Sequence, residues 1–125
     1  MFSPQVLDYF QNPRCAGKLP GATATVEVSN PVCGDMLQLA ARVENGRISE
    51  ARFLARGCVT SMACGSFLAE SIQGKSLAEA HAITAEQISA ALGGLPPATS
   101  HGSQLARDAL ETLLSRLACL GSDEK

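Results

Sequence analysis

Leu37-Gln38-Leu39-Ala40-Ala41-Arg42-Val43-Glu44-Asn45-Gly46-Arg47-Ile48-Ser49-Glu50-Ala51-Arg52-Phe53-Leu54-Ala55-Arg56-Gly57-Cys58 is the stretch that decides the fold. Leu37, Leu39, Ala41 and Val43 alternate with Gln38 and Arg42, and Ala51, Phe53 and Ala55 alternate with Arg52, Leu54 and Arg56. Period-two alternation with one mostly polar side predicts strands wet on one face. Asn45-Gly46 between the two runs predicts a tight hairpin, because both central residues of such a turn need positive φ. Upstream, Ala22 to Ser29 alternates Ala24, Val26 and Val28 with Thr23, Thr25 and Glu27, a third strand. Asn30 to Asp35, punctuated by Pro31 and Gly34, reads as the turn that joins it to the hairpin.

On either side the periodicity becomes helical. Phe2 to Gln11 reads as a helix with Ser3 as N-cap, Pro4 at the first helical position and Asn12-Pro13 as the stop. After Gly57, the residues Val59, Met62, Ala63, Leu68 and Ile72 predict one apolar stripe ending at Gly74. Ser76 with Glu79 fits a capping box, and Thr84 with Glu86 opens a further helical pattern, closed by Leu95-Pro96-Pro97. From Ser100-His101 onward, Leu105, Ala106, Ala109, Leu110, Leu113, Leu114 and Leu117 form a continuous stripe, with Gly121 as the expected end and a frayed tail after it.

The 125 residues, 46% hydrophobic and 18% charged, predict one domain over residues 1–125. Ten basic against twelve acidic side chains leave a net charge of −2, with no basic excess for nucleic acid. No run approaches the ~20 apolar residues of a membrane helix, so no membrane partner is expected. Met1-Phe2-Ser3-Pro4 has neither signal-peptide nor transit-peptide character, and the expected location is the cytoplasm.

Five cysteines, Cys15, Cys33, Cys58, Cys64 and Cys119, occur without a CxxC pair. An odd count in a reducing compartment points to metal or sulfur chemistry, or to small buried apolar side chains. Cys33 lies in the turn between two strands, and Cys58 follows the third strand and opens a helix. If the strands pair as a hairpin, both reach the same end of the sheet. A helix N-terminus favours the thiolate. Asp35 adds a hard oxygen donor, and His101, at the start of the last helix, is a candidate fourth ligand for a tetrahedral ion. Cys64, six residues after Cys58, falls about 120° off its face on a helix, which predicts a core position. Cys15 and Cys119 are expected to be incidental, with Cys15 an exposed loop thiol, and His81 to be structural. No P-loop, dinucleotide fingerprint or nucleophile elbow is present.

Val6-Leu7-Asp8-Tyr9-Phe10-Gln11-Asn12-Pro13-Arg14, Asn30-Pro31-Val32-Cys33-Gly34-Asp35, Asn45-Gly46, Arg56-Gly57-Cys58, Gly74-Lys75-Ser76-Leu77, Leu95-Pro96-Pro97 and Ser103-Gln104-Leu105-Ala106, in this order, resemble the IscU/NifU-type iron–sulfur cluster assembly scaffolds. The resemblance runs from about Phe2 to Leu117. It implies an α+β fold, a three-stranded antiparallel sheet with helices packed on one face. It implies a non-enzymatic scaffold or carrier that takes sulfur from a cysteine desulfurase, binds iron from an iron donor or a transient [2Fe–2S] cluster, and passes it to apo-protein acceptors. Zinc often occupies the site in isolated relatives. The implied ligands here are Cys33, Asp35, Cys58 and His101. The family's third cysteine is replaced by Gly102. Cys64 is the alternative substitute ligand or sulfur acceptor. The stretch after Leu-Pro-Pro reads Ala98-Thr99, so the resemblance does not extend to docking on the family's dedicated chaperone. Gly102 leaves two alternatives open: a zinc-binding sulfur-transfer accessory of a desulfurase, and a degenerate paralogue serving as a binding module.

Overall fold

The computed structural model describes residues 3–30, 34–57, 59–94 and 101–122, and of Asn30, His101 and residues 119–122 the backbone alone. Helix α1 (Pro4–Gln11) is followed by strands β1 (Ala24–Asn30), β2 (Asp35–Glu44) and β3 (Arg47–Arg56), then helices α2 (Val59–Ile72), α3 (Leu77–His81), α4 (Ala85–Ala91) and α5 (His101–Ser122). The strands form one antiparallel sheet in the order β1-β2-β3. Asn45 and Gly46, with φ of 56° and 77°, make the predicted tight turn.

The register puts Val26, Leu39 and Phe53 across from one another, and Ala24, Ala41 and Ala51 likewise. All six are buried. They face α2 and α5, while Glu27, Gln38, Arg42 and Arg52 line the other side. The alternation of β3 breaks at one place. Arg42 pairs with Glu50 but Val43 pairs with Ile48, which leaves Ser49 as an extra bulged residue whose hydroxyl donates to the Arg42 carbonyl. The bulge returns Ile48 to the buried face.

α2 crosses the sheet closely. A Cβ added at Gly65 would lie 2.8 Å from both Leu37 Cδ1 and Phe53 Cδ2, so any larger residue would push helix and sheet apart. The predicted single stripe on α2 is corrected here. Thr60, Ser61, Ala63, Cys64, Gly65, Ser66, Leu68, Ala69 and Ile72 are buried, whereas Val59 and Met62 are half-buried. The helix is enclosed by the sheet, α1 and α5 together, so it needs small side chains around most of its circumference rather than one apolar face. The stripe on α5 is as expected: all seven of its residues are buried. The helix runs through Gly121 to Ser122 rather than ending at Gly121.

The predicted caps are present, with one correction. Ser3 accepts from the Val6 N–H, and Ser76 and Glu79 form a reciprocal capping box. Thr84 also sits in a capping box, but its partner is Gln87, not Glu86. Cys15 is corrected too. It is half-buried against the core with φ of 62°, and its carbonyl accepts from Phe53 N–H while Gly17 N–H donates to the Phe53 carbonyl. Residues 15–17 thus pair with the β3 edge, and the Cys15 side chain is half-buried rather than exposed. His81 is exposed, and its carbonyl accepts from Arg107, in keeping with a structural role.

α1 is held on α2 by side chains. The Arg14 guanidinium lies 4.3 Å from the Tyr9 ring centroid and 2.8 Å from Asp8 Oδ2, and Tyr9 Oη–H donates to Glu70. The Arg14 hydrogen bond holds the Asp8 carboxyl below the ordinary carboxylate range. Arg52 does the same for Glu50, and the Ser76 backbone N–H for Glu79. A carboxylate whose folded pKa is lowered contributes stability above its unfolded pKa and loses that contribution as pH falls through the folded value. The unfolding midpoint is therefore expected to stay flat around neutral pH and to fall once pH drops into and below the carboxylate range. The check is thermal unfolding followed by circular dichroism across a pH series.

Candidate functional site

Asp35, expected in a turn, is the first residue of β2, paired with Asn30 at the end of β1. Its odd register position puts it on the helix-covered face with Leu37 and Leu39, and it is only 2% exposed. A carboxylate is seldom buried without partners, because desolvating it is costly. Ser61, itself 1% exposed and in the first turn of α2, donates its hydroxyl to Asp35 Oδ2 at 2.7 Å. The N-terminal end of a helix adds a favourable dipole for a nearby carboxylate.

Gly57 closes the carboxylate from the β3 side. Its φ is 128°, and a Cβ there would fall 2.0 Å from Asp35 Oδ1 and 2.9 Å from Asp35 Cα. Only glycine permits both that backbone conformation and that approach. The end of β3, the start of β2 and the start of α2 thus meet at Asp35.

The start of α5 joins them. A Cβ built on Gly102 would lie 3.0 Å from Thr60 Cγ2 and 3.2 Å from the Ser61 nitrogen. Both are tighter than ordinary van der Waals contact, which begins at 3.4 Å. Gly102 is buried, and a Cβ there would need Thr60 and the start of α2 to give by a few tenths of an ångström. Thr60 is fully buried, and its Oγ1 has no hydrogen-bond partner among the described residues.

The expected site residues are placed differently. Asp35 is placed there in full. His101 is the first residue of α5, next to Gly102, with its backbone alone described. Cys33 and Cys58 lie outside the described residues, as do the Leu95-Pro96-Pro97 turn and Ala98-Thr99. The described neighbours of the two cysteines in the chain are Gly34-Asp35 on one side and Gly57 and Val59 on the other. Cys64 is fully enclosed in the hydrophobic core with Leu68 and Phe53, as its helical angle predicts. Among the described residues no three His, Cys, Asp or Glu side chains cluster. Burial pushes the Cys15 thiol up, away from the thiolate form that a metal or sulfur acceptor needs. Ser61 and Thr60 were not singled out by the sequence reading. Their only sequence signal is two hydroxyl residues in a row, one position beyond Gly57-Cys58, at a helix start.

No helix among the described residues is long and apolar enough to cross a membrane. The chain matches the family described as NifU-like N terminal domain over residues 1–118. It is 43% identical over 110 residues to the iron-sulfur cluster assembly scaffold protein IscU 1 of Archaeoglobus fulgidus, covering 88% of this chain and 72% of that protein. It is 40% identical over 118 residues to the IscU scaffold protein of Haemophilus influenzae, covering 91% and 93%. A solved structure of a putative iron-sulfur cluster assembly scaffold protein for the SUF system from Fervidobacterium islandicum superposes with a TM-score of 0.76 at 25% identity, covering 90% of this chain and 96% of that one. With its three-stranded antiparallel sheet, its overlying helices and a match over nearly its whole length, the chain belongs to the NifU-like N-terminal domain family, the family of the IscU scaffolds.

Proposed function

We propose that this protein is a cytoplasmic, non-enzymatic scaffold or carrier of iron–sulfur cluster assembly, working as one domain, with Cys33, Asp35, Cys58 and His101 as the ligands of its cargo. The observation that carries the reading is the buried Asp35 carboxylate, held where β2, β3, α2 and α5 meet. The family resemblance and the 40–43% identity to named scaffolds support it. Two thiolates, one carboxylate and one imidazole suit Zn²⁺ and iron alike. A carboxylate among thiolates is a weaker partner for a cluster iron, which suits a cargo that must leave again.

The partners are a cysteine desulfurase, an iron donor and apo-protein acceptors. Sulfur would arrive by thiol exchange. A site thiolate attacks the terminal sulfur of a desulfurase persulfide, a new S–S bond forms as the donor's breaks, and the donor leaves as thiolate. Reducing that sulfur to sulfide takes electrons from an external thiol or reductase. Anaerobic incubation with ferrous iron, cysteine, a reductant and a desulfurase tests the reading. It is expected to give a protein-bound [2Fe–2S] chromophore, and none forms if the reading is wrong.

Gly102 favours one second reading, a zinc-holding accessory that accepts sulfur without building a cluster. About one zinc per chain in the protein as purified, with no chromophore after reconstitution, would establish it. The crowding at Gly102 also yields an expected result. Gly102→Cys alone is expected to gain little, because its Cβ would crowd Thr60 Cγ2 and the Ser61 nitrogen. Gly102→Cys combined with Thr60→Ser should hold the cluster several-fold longer, read as the decay of its absorbance in air.

A further inference from the structure

We propose that Ser61 is a positioning residue, whose hydroxyl fixes the Asp35 carboxylate in the orientation that binds the cargo ion. The proposal rests on the reading of Asp35 as a ligand and names a residue that orients it. A buried carboxylate at a strand terminus can rotate about its side-chain torsions unless another group holds it, and each rotamer aims its oxygens differently. Here Ser61 Oγ–H donates to Oδ2 at 2.7 Å, in the short range of charge-assisted O–H···O bonds. The two groups come from elements 26 positions apart in sequence, so the bond ties the first turn of α2 to the start of β2. Gly57 leaves Oδ1 its room only because it lacks a side chain, since a Cβ there would run into that oxygen. Ser61 itself cannot drift, because it is buried in a helix whose next turn is pinned to Leu37 and Phe53 through Gly65. Outer groups that orient a ligand in this way typically control metal affinity by about 10–100-fold.

The test is zinc affinity, measured by competition with a chromophoric chelator, for the full chain and four variants. Ser61→Ala should bind zinc about 10–100-fold more weakly. Ser61→Thr, which keeps the hydroxyl, should recover most of that loss. Asp35→Ala should lose at least as much as Ser61→Ala. Ser61→Ala in the Asp35→Ala background should cost nothing further, because a residue that acts through Asp35 has no effect once Asp35 is gone. A merely structural serine would instead give additive losses, and that outcome overturns the proposal. Unchanged affinity in Ser61→Ala with a loss in Asp35→Ala overturns it too, while leaving Asp35 a ligand. Unchanged affinity in Asp35→Ala overturns the ligand reading and the proposal with it. Alanine is smaller than serine and a better helix former, so Ser61→Ala is expected to fold, with its unfolding midpoint as the control.

Discussion

Cys33→Ser and Cys58→Ser are each expected to abolish retention of zinc and of the cluster, whereas Cys15→Ser and Cys119→Ser leave both unchanged. A serine hydroxyl is not ionised near neutral pH and cannot replace a thiolate, so each site substitution removes a ligand outright. The loss should exceed the roughly 10–100-fold that follows removal of an outer-shell partner. The contrast between the pairs is what makes the result informative. Cys15 is half-buried on the β3 edge, and its environment raises its pKa. Cys119 belongs to the far end of α5, 18 residues from His101, about 27 Å along the helix axis. Metal analysis after desalting, combined with the absorbance of reconstituted protein, reads all four variants. Equal metal content in all of them would remove Cys33 and Cys58 from the site.

Gly57→Ala is expected to damage both folding and cargo binding. The φ of 128° lies where side-chain-bearing residues are strained, at a cost of about 1–3 kcal/mol. The added methyl would meet the Asp35 carboxylate and its Cα, and overpacking of that kind costs about 1–3 kcal/mol more. The sum, roughly 2–6 kcal/mol, is a large part of the ~5–15 kcal/mol that stabilises a typical small domain. Any protein that still folds must displace Asp35 and should bind zinc poorly. Urea unfolding monitored by circular dichroism reads the first effect and chelator competition the second. A variant with wild-type stability and zinc affinity would show that the close approach of Gly57 to Asp35 does not matter.

The sheet was readable because its signals are local. Asn45-Gly46 specifies its turn by backbone chemistry alone, and the alternation of β2 survives along most of the strand. Residues 47–50 were not readable as strand, because the Ser49 bulge shifts the parity between Ile48 and Ala51 and hides the pattern. The small residues of α2 misled for a related reason. A helix enclosed on several sides carries no single stripe, so Val59 and Met62 looked buried and Thr60 and Ser61 did not.

At the site, Asp35 could be named from its place in a Cys-Gly-Asp turn and from the family resemblance. The way it is held could not. The Ser61 bond joins residues far apart in sequence through the close packing of α2 on the sheet, which no periodicity reports, and the Gly57 approach depends on the bulged register that continues the Met36–Arg56 pair to Asp35 and Gly57. The fit of Thr60 against Gly102 is equally invisible in one dimension, although the glycine itself, as a departure from the family pattern, marked where to look.

The proposed ligand set requires Cys33 and Cys58 to hold one ion together with Asp35 and His101. X-ray absorption at the zinc edge of the zinc-loaded full chain reads that shell. The expected first shell has two sulfurs at about 2.3 Å and two nitrogen or oxygen donors at about 2.0–2.2 Å. A shell with one sulfur or none would contradict it.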